Sequence, residues 1–447
     1  MRPPPCREGV LGRLCAKGAV AKERKEKALE TDAERRDNPL WTRDFTIITL
    51  GTVVSMLGST LTWFAMDLMV LDYTGSTLLF AVYSMVYMLP NALAPVLVGP
   101  FLDRFSRKKT IYTLDFITAG MFAVLAAVIA AGKFGFWILA LVNFSLGAIS
   151  GIYNVAYDSF YPLLISEGNF RRAYSVASTL ETLTLVMVPV STFIYKTTGI
   201  LPLLCANVLS FLTAAVMETR IRTEERYISE QREERAVSAE KRGFTDDFRE
   251  GMAYLWGEKG LLAIAVYFLF SCLTGGMTQV VTLPYFRKAF TDGEYIYMLV
   301  WGMSSLARFI GGIVHYHLRL PVKAKFTIAL TVYISMSLLE GGYLFTPVPC
   351  MMVMCFLSGM MGITSYNIRI SSTQKYVPDG KKGRFNGAFN TINTVGMLLG
   401  QGAAGALSAF MGERVIVVIA NALSLAAAVV FIGGAHREVA KIYNTET

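Results

Sequence analysis

Residues 45–71 read FTIITLGTVVSMLGSTLTWFAMDLMVL, an apolar run interrupted by one charged side chain, Asp67. A helix needs roughly 20 apolar residues to cross the hydrocarbon core of a bilayer, so this stretch is long enough to span a membrane. Eleven further runs of the same kind follow. The twelve predicted spans lie near residues 45–71, 77–98, 110–131, 135–157, 173–195, 199–217, 261–283, 295–316, 326–345, 348–368, 386–410 and 414–434.

The composition agrees with a chain that spans a membrane many times. Of the 447 residues, 53% are hydrophobic and 17% are charged, whereas a soluble domain carries about 25% charge. A simple soluble enzyme and a disordered protein are therefore excluded. The apolar runs are continuous rather than alternating, which excludes a β-barrel. We predict an all-α integral membrane protein with twelve transmembrane helices.

No chemistry-bearing motif indicates an enzyme. The chain has no G-x-x-x-x-G-K-S/T phosphate-binding loop and no assembled Ser/His/Asp or Cys/His signature. The six cysteines lack the spacing of a metal or redox site. With three histidines in the chain a histidine metal cluster is not expected, although the H-x-H pattern of His315 and His317 is able to bind a metal. We therefore expect no enzymatic activity, no cofactor and no metal site.

The chain has a net charge of +9, and its Lys and Arg residues are unevenly distributed along the sequence. If both termini are cytoplasmic, 35 of the 42 Lys and Arg residues fall in inner segments and 5 in outer loops. This asymmetry follows the positive-inside rule and predicts an inner (plasma) membrane protein with cytoplasmic termini. Because the charge is spread over many loops, a nucleic-acid partner is not expected.

Two polar segments divide the chain. We predict a helix with an apolar face at 244–262 that lies on the inner membrane face, because Phe244, Phe248, Met252 and Leu255 recur near helical spacing. The predicted units are a cytoplasmic tail at 1–44, a six-helix half at 45–217, a cytoplasmic linker with the amphipathic helix at 218–260, a second six-helix half at 261–434 and a cytoplasmic tail at 435–447.

The two halves share an internal repeat. VGPFLDRFSRK at 98–108 aligns with IGGIVHYHLRL at 310–320, and ISEGNFRRAY at 165–174 aligns with VPDGKKGRFN at 377–386, both at a shift of 212 residues. Parallel repeats of this kind place a substrate site near the membrane midplane, between the halves.

The segment GPFLDRFSRKK at 99–109 resembles the loop between spans two and three of the major facilitator superfamily, G-x-x-x-D-R-x-G-R-K/R. Ser106 stands where the family's second glycine is usual. Within the superfamily the chain is most similar to bacterial macrolide-efflux and siderophore-exporter carriers. That similarity rests on VLDYTGST at 70–77, YPLLISEGNFRRAYS at 161–175 and KYVPDGKKGRFN at 375–386.

The resemblance implies a secondary carrier whose halves rock about a central site, with the loop charges controlling the switch between states. The implied gating residues are Gly99, Asp103, Arg104, Arg107, Lys108 and Asp158. The alternative is that these charges only anchor helix ends. One departure weakens the analogy with the family's antiporters: LTLVMVPVSTF at 183–193 keeps Pro189 but lacks their span-five glycines.

Ionisable groups inside the spans are candidates for function because they are costly at membrane depth. We expect Glu181 and Asp67 to bind a proton or a cationic substrate, since burial favours the protonated form of a carboxyl group. Arg308 either holds an anionic substrate group or compensates Glu181. We expect the remaining groups to reach water near helix ends and to be structural: Asp115, His315 and Glu340.

Polar side chains on several spans are candidates for lining a substrate pocket. The alternative is that they form hydrogen bonds that hold neighbouring helices together. They are Tyr153, Asn154 and Tyr157 in span four, Gln279 in span seven, and Asn390 and Asn393 in span eleven.

The function predicted from the sequence is proton-coupled efflux of amphiphilic, drug-like or siderophore-like small molecules by alternating access. The expected partners are the small-molecule substrate, protons and the lipid bilayer, and the expected state is a monomer. Two alternatives stay open, a carrier of lysophospholipid or lipid-linked substrates and a membrane sensor or partner protein that does not transport.

Overall fold

The computed structural model describes residues 39–102, 106–166, 169–223, 244–317 and 320–445. Fourteen α-helices lie in these ranges, and twelve of them are long. The helices are α1 Arg43–Thr74, α2 Thr77–Leu102, α3 Arg107–Ala130, α4 Phe136–Phe160, α5 Phe170–Thr198, α6 Leu201–Glu218, α7 Phe244–Gly257, α8 Lys259–Ala289, α9 Gly293–His317, α10 Lys325–Gly342, α11 Val348–Tyr376, α12 Asp379–Leu407, α13 Glu413–Ala427 and α14 His436–Tyr443.

Ten of the long helices are apolar enough, as well as long enough, to cross a membrane. The other two, α5 and α12, have 29 residues each, or roughly 43 Å at 1.5 Å per residue. They are the fifth helix of each half. Both are more polar than the other spans, and both pack across the boundary between the halves, α5 on α9 and α12 on α2.

Helix packing repeats from one half to the other. In the first half α1 packs on α5 and α6, α2 on α4, and α3 on α6. In the second half the equivalent helices pair in the same way: α8 with α12 and α13, α9 with α11, and α10 with α13. The predicted architecture of twelve helices in two six-helix halves is therefore confirmed.

The buried core shows where the halves meet. We call the end of the bundle that carries both termini the proximal end and the opposite end the distal end. One core cluster is shared by both halves and occupies the distal part; Phe64 of α1 stacks there on Tyr297 of α9, with ring centroids 6.3 Å apart. The two proximal clusters are separate, one built from the first half alone and one from the second. Among the described residues, one shared core thus joins the halves distally, whereas proximally each half has a core of its own.

Two short helices support the proximal end of the second half. The predicted amphipathic helix is present as α7, but one of its faces packs on protein: Leu255 is fully buried, and Arg384 of α12 pairs with Glu250 at 2.6 Å. The segment predicted as a C-terminal tail is also ordered, as α14. Its Tyr443 hydroxyl lies 2.9 Å from the Tyr333 hydroxyl in the core. Apolar residues every three to four positions in α14 explain this docking.

Gly276 allows α8 to pack closely on α12. A Cβ at Gly276 would overlap the backbone carbonyl of Met397, whereas a Cβ at the neighbouring Gly275 would meet nothing within 4 Å. Gly276→Val should therefore cost about 1–3 kcal/mol of stability through overpacking, seen as a lower thermal-unfolding midpoint in detergent. Gly275→Val is the matched control. Equal midpoints for the two variants would contradict this account of the interface.

Candidate functional site

The first half encloses a cavity of about 400 Å³ between α1, α2, α3, α4 and α6. Its wall is apolar and aromatic, dotted with hydroxyl and amide groups. The aromatic and thioether members are Met56, Trp63, Met66, Tyr83, Tyr87, Phe122, Tyr153 and Phe211, and the polar members include Thr52, Ser55, Ser59, Thr60, Thr118, Asn143, Ser150 and Asn154.

Asp115 of α3 is the acidic residue among these lining side chains, which include no Lys or Arg. The expectation that it reaches water near the end of its span is wrong, because it is only 2% exposed. Two of the pocket residues predicted in span four, Tyr153 and Asn154, line the cavity. Tyr157 stacks on Tyr153, with ring centroids 5.9 Å apart, and does not line it.

Asp67 lies outside that wall, in the distal core where the halves meet. It is 9% exposed and lies near Tyr83 of its own half and Tyr297 of the other. Its neighbour Tyr83 lines the first-half cavity. Asp67 is thus placed between the cavity and the contact that closes the distal end.

The second half holds a smaller and more polar cavity of about 220 Å³. Arg308 and Glu340 both line it, and the Ser358 hydroxyl donates to the Glu340 carboxylate. Glu340, which was expected to reach water near a helix end, is partly exposed and lines this cavity. Arg308 has this carboxylate as a neighbour within its own half. His315, expected to be structural, lies 2.8 Å from the Thr364 hydroxyl of α11.

The remaining polar candidates lie on the helices between the halves. Gln401 donates to Gln279 at 3.1 Å and so ties α12 to α8, which is the helix-joining alternative. Asn390 is exposed. Asn393 is partly buried, with an amide oxygen that has no hydrogen-bond partner among the described residues.

The implied gating loop is only partly described. Asp103 and Arg104 lie outside the described residues, and Gly99 lies in α2. Arg107 donates to the backbone oxygen of Ser159 at 3.1 Å, next to the exposed Asp158. Lys108 donates to the backbone oxygen of Ile221 at 2.7 Å and so ties α3 to the chain after α6.

Glu181 lies in α5, and its side chain falls outside what the structure describes.

An ionic cluster closes the distal end, and sequence reasoning missed it. Glu294 of α9 accepts a hydrogen bond from Lys196 of α5 at 2.8 Å and forms an ion pair with Arg287 of α8 at 3.0 Å. Arg287 also bonds to Asp72 at the end of α1, which accepts from Tyr195 at 2.6 Å. We call these five residues the distal charge cluster. A signal was present, because Asp72, Lys196, Arg287 and Glu294 all fall at the outer ends of predicted spans.

The chain resembles known transport proteins along most of its length. A sequence model of the Major Facilitator Superfamily matches residues 48–401. Macrolide efflux protein A of Streptococcus pyogenes is 23% identical over 252 residues, which cover 55% of this chain and 60% of that protein. YkuC of Bacillus subtilis, an uncharacterized MFS-type transporter, is 24% identical over 305 residues, or 66% and 69% of the two chains. The match thus spans less than two thirds of the macrolide efflux protein.

Solved structures with the same fold are also transporters. A bacterial homologue of the iron transporter ferroportin, in an inward-facing state, superposes with a TM-score of 0.68 at 17% identity, covering 88% of this chain and 99% of that one. The nucleoside transporter NupG superposes with a TM-score of 0.57 at 15% identity, covering 87% and 98%. At these identities the likeness concerns the fold.

The distal charge cluster should control access from its end of the bundle. Arg287→Ala removes the contacts to Asp72 and Glu294. Since a charged hydrogen bond contributes about 1.5–3 kcal/mol, we expect the distal end to open roughly tenfold more often. A single cysteine at the fully buried Thr192, in a cysteine-free chain, should then react roughly tenfold faster with a maleimide.

Lys288→Ala is the matched control, because Lys288 pairs with Glu413 inside the second half. An unchanged labelling rate in Arg287→Ala would show that these contacts do not hold the distal end closed.

Proposed function

Because the chain belongs to the Major Facilitator Superfamily, we propose that it is a proton-coupled carrier that exports amphiphilic small molecules by alternating access. The observation that carries this proposal is the first-half cavity, with its aromatic and thioether wall and scattered hydroxyl groups. Apolar area with a few placed polar groups suits an amphiphile, and flexible methionines suit a pocket that accepts varied shapes.

The separation of the halves at one end supports alternating access. The shared core and the distal charge cluster join the halves distally, while the proximal core clusters belong to one half each. The excess of Lys and Arg in the proximal loops supports a cytoplasmic proximal end in the bacterial inner membrane. With that orientation we propose an inward-open carrier, ready to take substrate from the cytoplasm and acting as a monomer.

Proton coupling is proposed for Glu181 and Asp67. Asp67 lies near tyrosines of both halves at the distal contact, so a change in its charge would bear directly on whether that contact stays closed. Glu181 is on α5, one of the two more polar spans at the boundary between halves. The likeness to macrolide efflux proteins supports export rather than uptake.

The test is proton-driven uptake of a macrolide and a cationic dye into everted membrane vesicles, in which export appears as accumulation. Glu181→Gln or Asp67→Asn should abolish gradient-driven accumulation and leave substrate exchange at equal pH intact, because exchange needs no net proton transfer. Glu258→Gln is the control, since this carboxylate accepts from Tyr376 outside the spans. Full accumulation in both variants would reject these coupling residues. Absence of flux in the unaltered protein would reject the substrate class and favour a lipid-linked substrate or a non-transporting role.

A further inference from the structure

A second group of acidic and hydroxyl side chains lies at the proximal end of the first half. Asp115 of α3 and Glu218, the last residue of α6, lie within hydrogen-bonding reach of each other. Glu218 is fully buried. Residue 218 begins the segment predicted as a polar linker, and the structure shows that it is buried instead. Two carboxyl groups thus share one enclosed site.

The charges of this pair are not balanced by a described basic side chain. For each carboxyl, the charged group that acts on it within the described chain is the other carboxyl. One oxygen of Asp115 and both oxygens of Glu218 have no hydrogen-bond partner there. Two adjacent ionised carboxylates out of water are strongly unfavourable without a compensating cation. Among the described residues, the pair therefore lacks a compensating positive charge.

Hydroxyl groups from two more helices complete the site and provide independent support. Thr52 of α1 is 9% exposed, and its hydroxyl lacks a partner among the described residues. It lies within hydrogen-bonding reach of the Tyr153 hydroxyl of α4, which is near both carboxyls, although neither hydroxyl makes a hydrogen bond of standard geometry to a described residue. Next to Thr52, Gly51 brings the α1 backbone against Glu218, since a Cβ there would lie 3.2 Å from Oε1.

We propose that Asp115, Glu218, Thr52 and Tyr153 form a binding site for a hard divalent cation such as Ca²⁺ or Mn²⁺. All the available ligands are oxygens, two of the side chains are carboxylates, and the cluster offers neither imidazole nor thiolate; this is the set that hard cations prefer. Thr49, whose hydroxyl is likewise buried and without a partner among the described residues, lies one turn before Thr52 on α1.

The cation would neutralise the pair and join four helices of the first half. Because Asp115 also lines the first-half cavity, an ion held there fixes part of the cavity wall. This inference does not rest on the proposed export function, since it concerns binding within one half. The same oxygens could instead hold protons alone, and the experiment separates these cases.

The test is Mn²⁺ binding to the purified full chain in detergent, followed by the loss of the free-ion electron paramagnetic resonance signal. The unaltered protein should bind one Mn²⁺ per chain, and Ca²⁺ should displace it. Asp115→Asn and Glu218→Gln should each weaken binding tenfold or more. Thr52→Val should weaken it less, and Thr52→Ser should restore it, since serine keeps the hydroxyl. Glu340→Gln, which alters a carboxyl of the other half, should bind normally.

Size-exclusion profiles and thermal-unfolding midpoints establish that each variant is folded. Absence of saturable Mn²⁺ binding up to millimolar concentration in the unaltered protein would overturn the proposal and leave a pair that holds protons. Binding that survives both Asp115→Asn and Glu218→Gln would overturn it as well, because the ion would then lie elsewhere.

Discussion

The contact of Glu294 with Lys196 and Arg287 is the constraint on which the arrangement of the two halves depends. It joins α5 of the first half to α8 and α9 of the second, with Asp72 of α1 extending the network. Glu294 is largely buried, so its interactions are less screened than those of a surface ion pair. This cluster joins the distal ends of the two halves.

The two halves share a fold but differ in the chemistry of their cavities. The first half presents an aromatic and thioether wall with hydroxyl groups, and the second presents Arg308 and Glu340 among serine, threonine and tyrosine side chains. A duplicated scaffold thus carries two unlike surfaces on either side of one boundary. If the protein exports amphiphiles as proposed, the apolar body of the substrate should lie mainly against the first half.

The sequence predicted the spans and the two-half architecture well because both depend on long apolar runs and on a repeat that survives in two loops. It predicted individual site residues less well. The sequence shows that Asp115 is close to a helix end, which predicts access to water. It does not show which side chains of other helices cover Asp115, and these bury it in the structure. Glu218 follows an apolar run and precedes charged residues, so sequence alone could not show that α1, α3 and α4 surround it. Cross-half contacts such as Arg287 with Asp72 join residues more than 200 positions apart, beyond any local pattern.

In the proposed mechanism, the two halves alternate between a state closed at the distal end and a state closed at the proximal end. The most direct measurement uses two pairs of spin labels. One pair, at Thr198 and Ala289, reports the distance between the halves at the distal end, and the other, at Lys109 and Lys375, reports it at the proximal end. Both distances are recorded in membranes, with and without substrate and a proton gradient. All four positions are exposed. The account predicts that under turnover a population appears in which the distal distance lengthens and the proximal distance shortens. Both distances unchanged, or both moving in the same direction, while flux is measured in the same samples would contradict it.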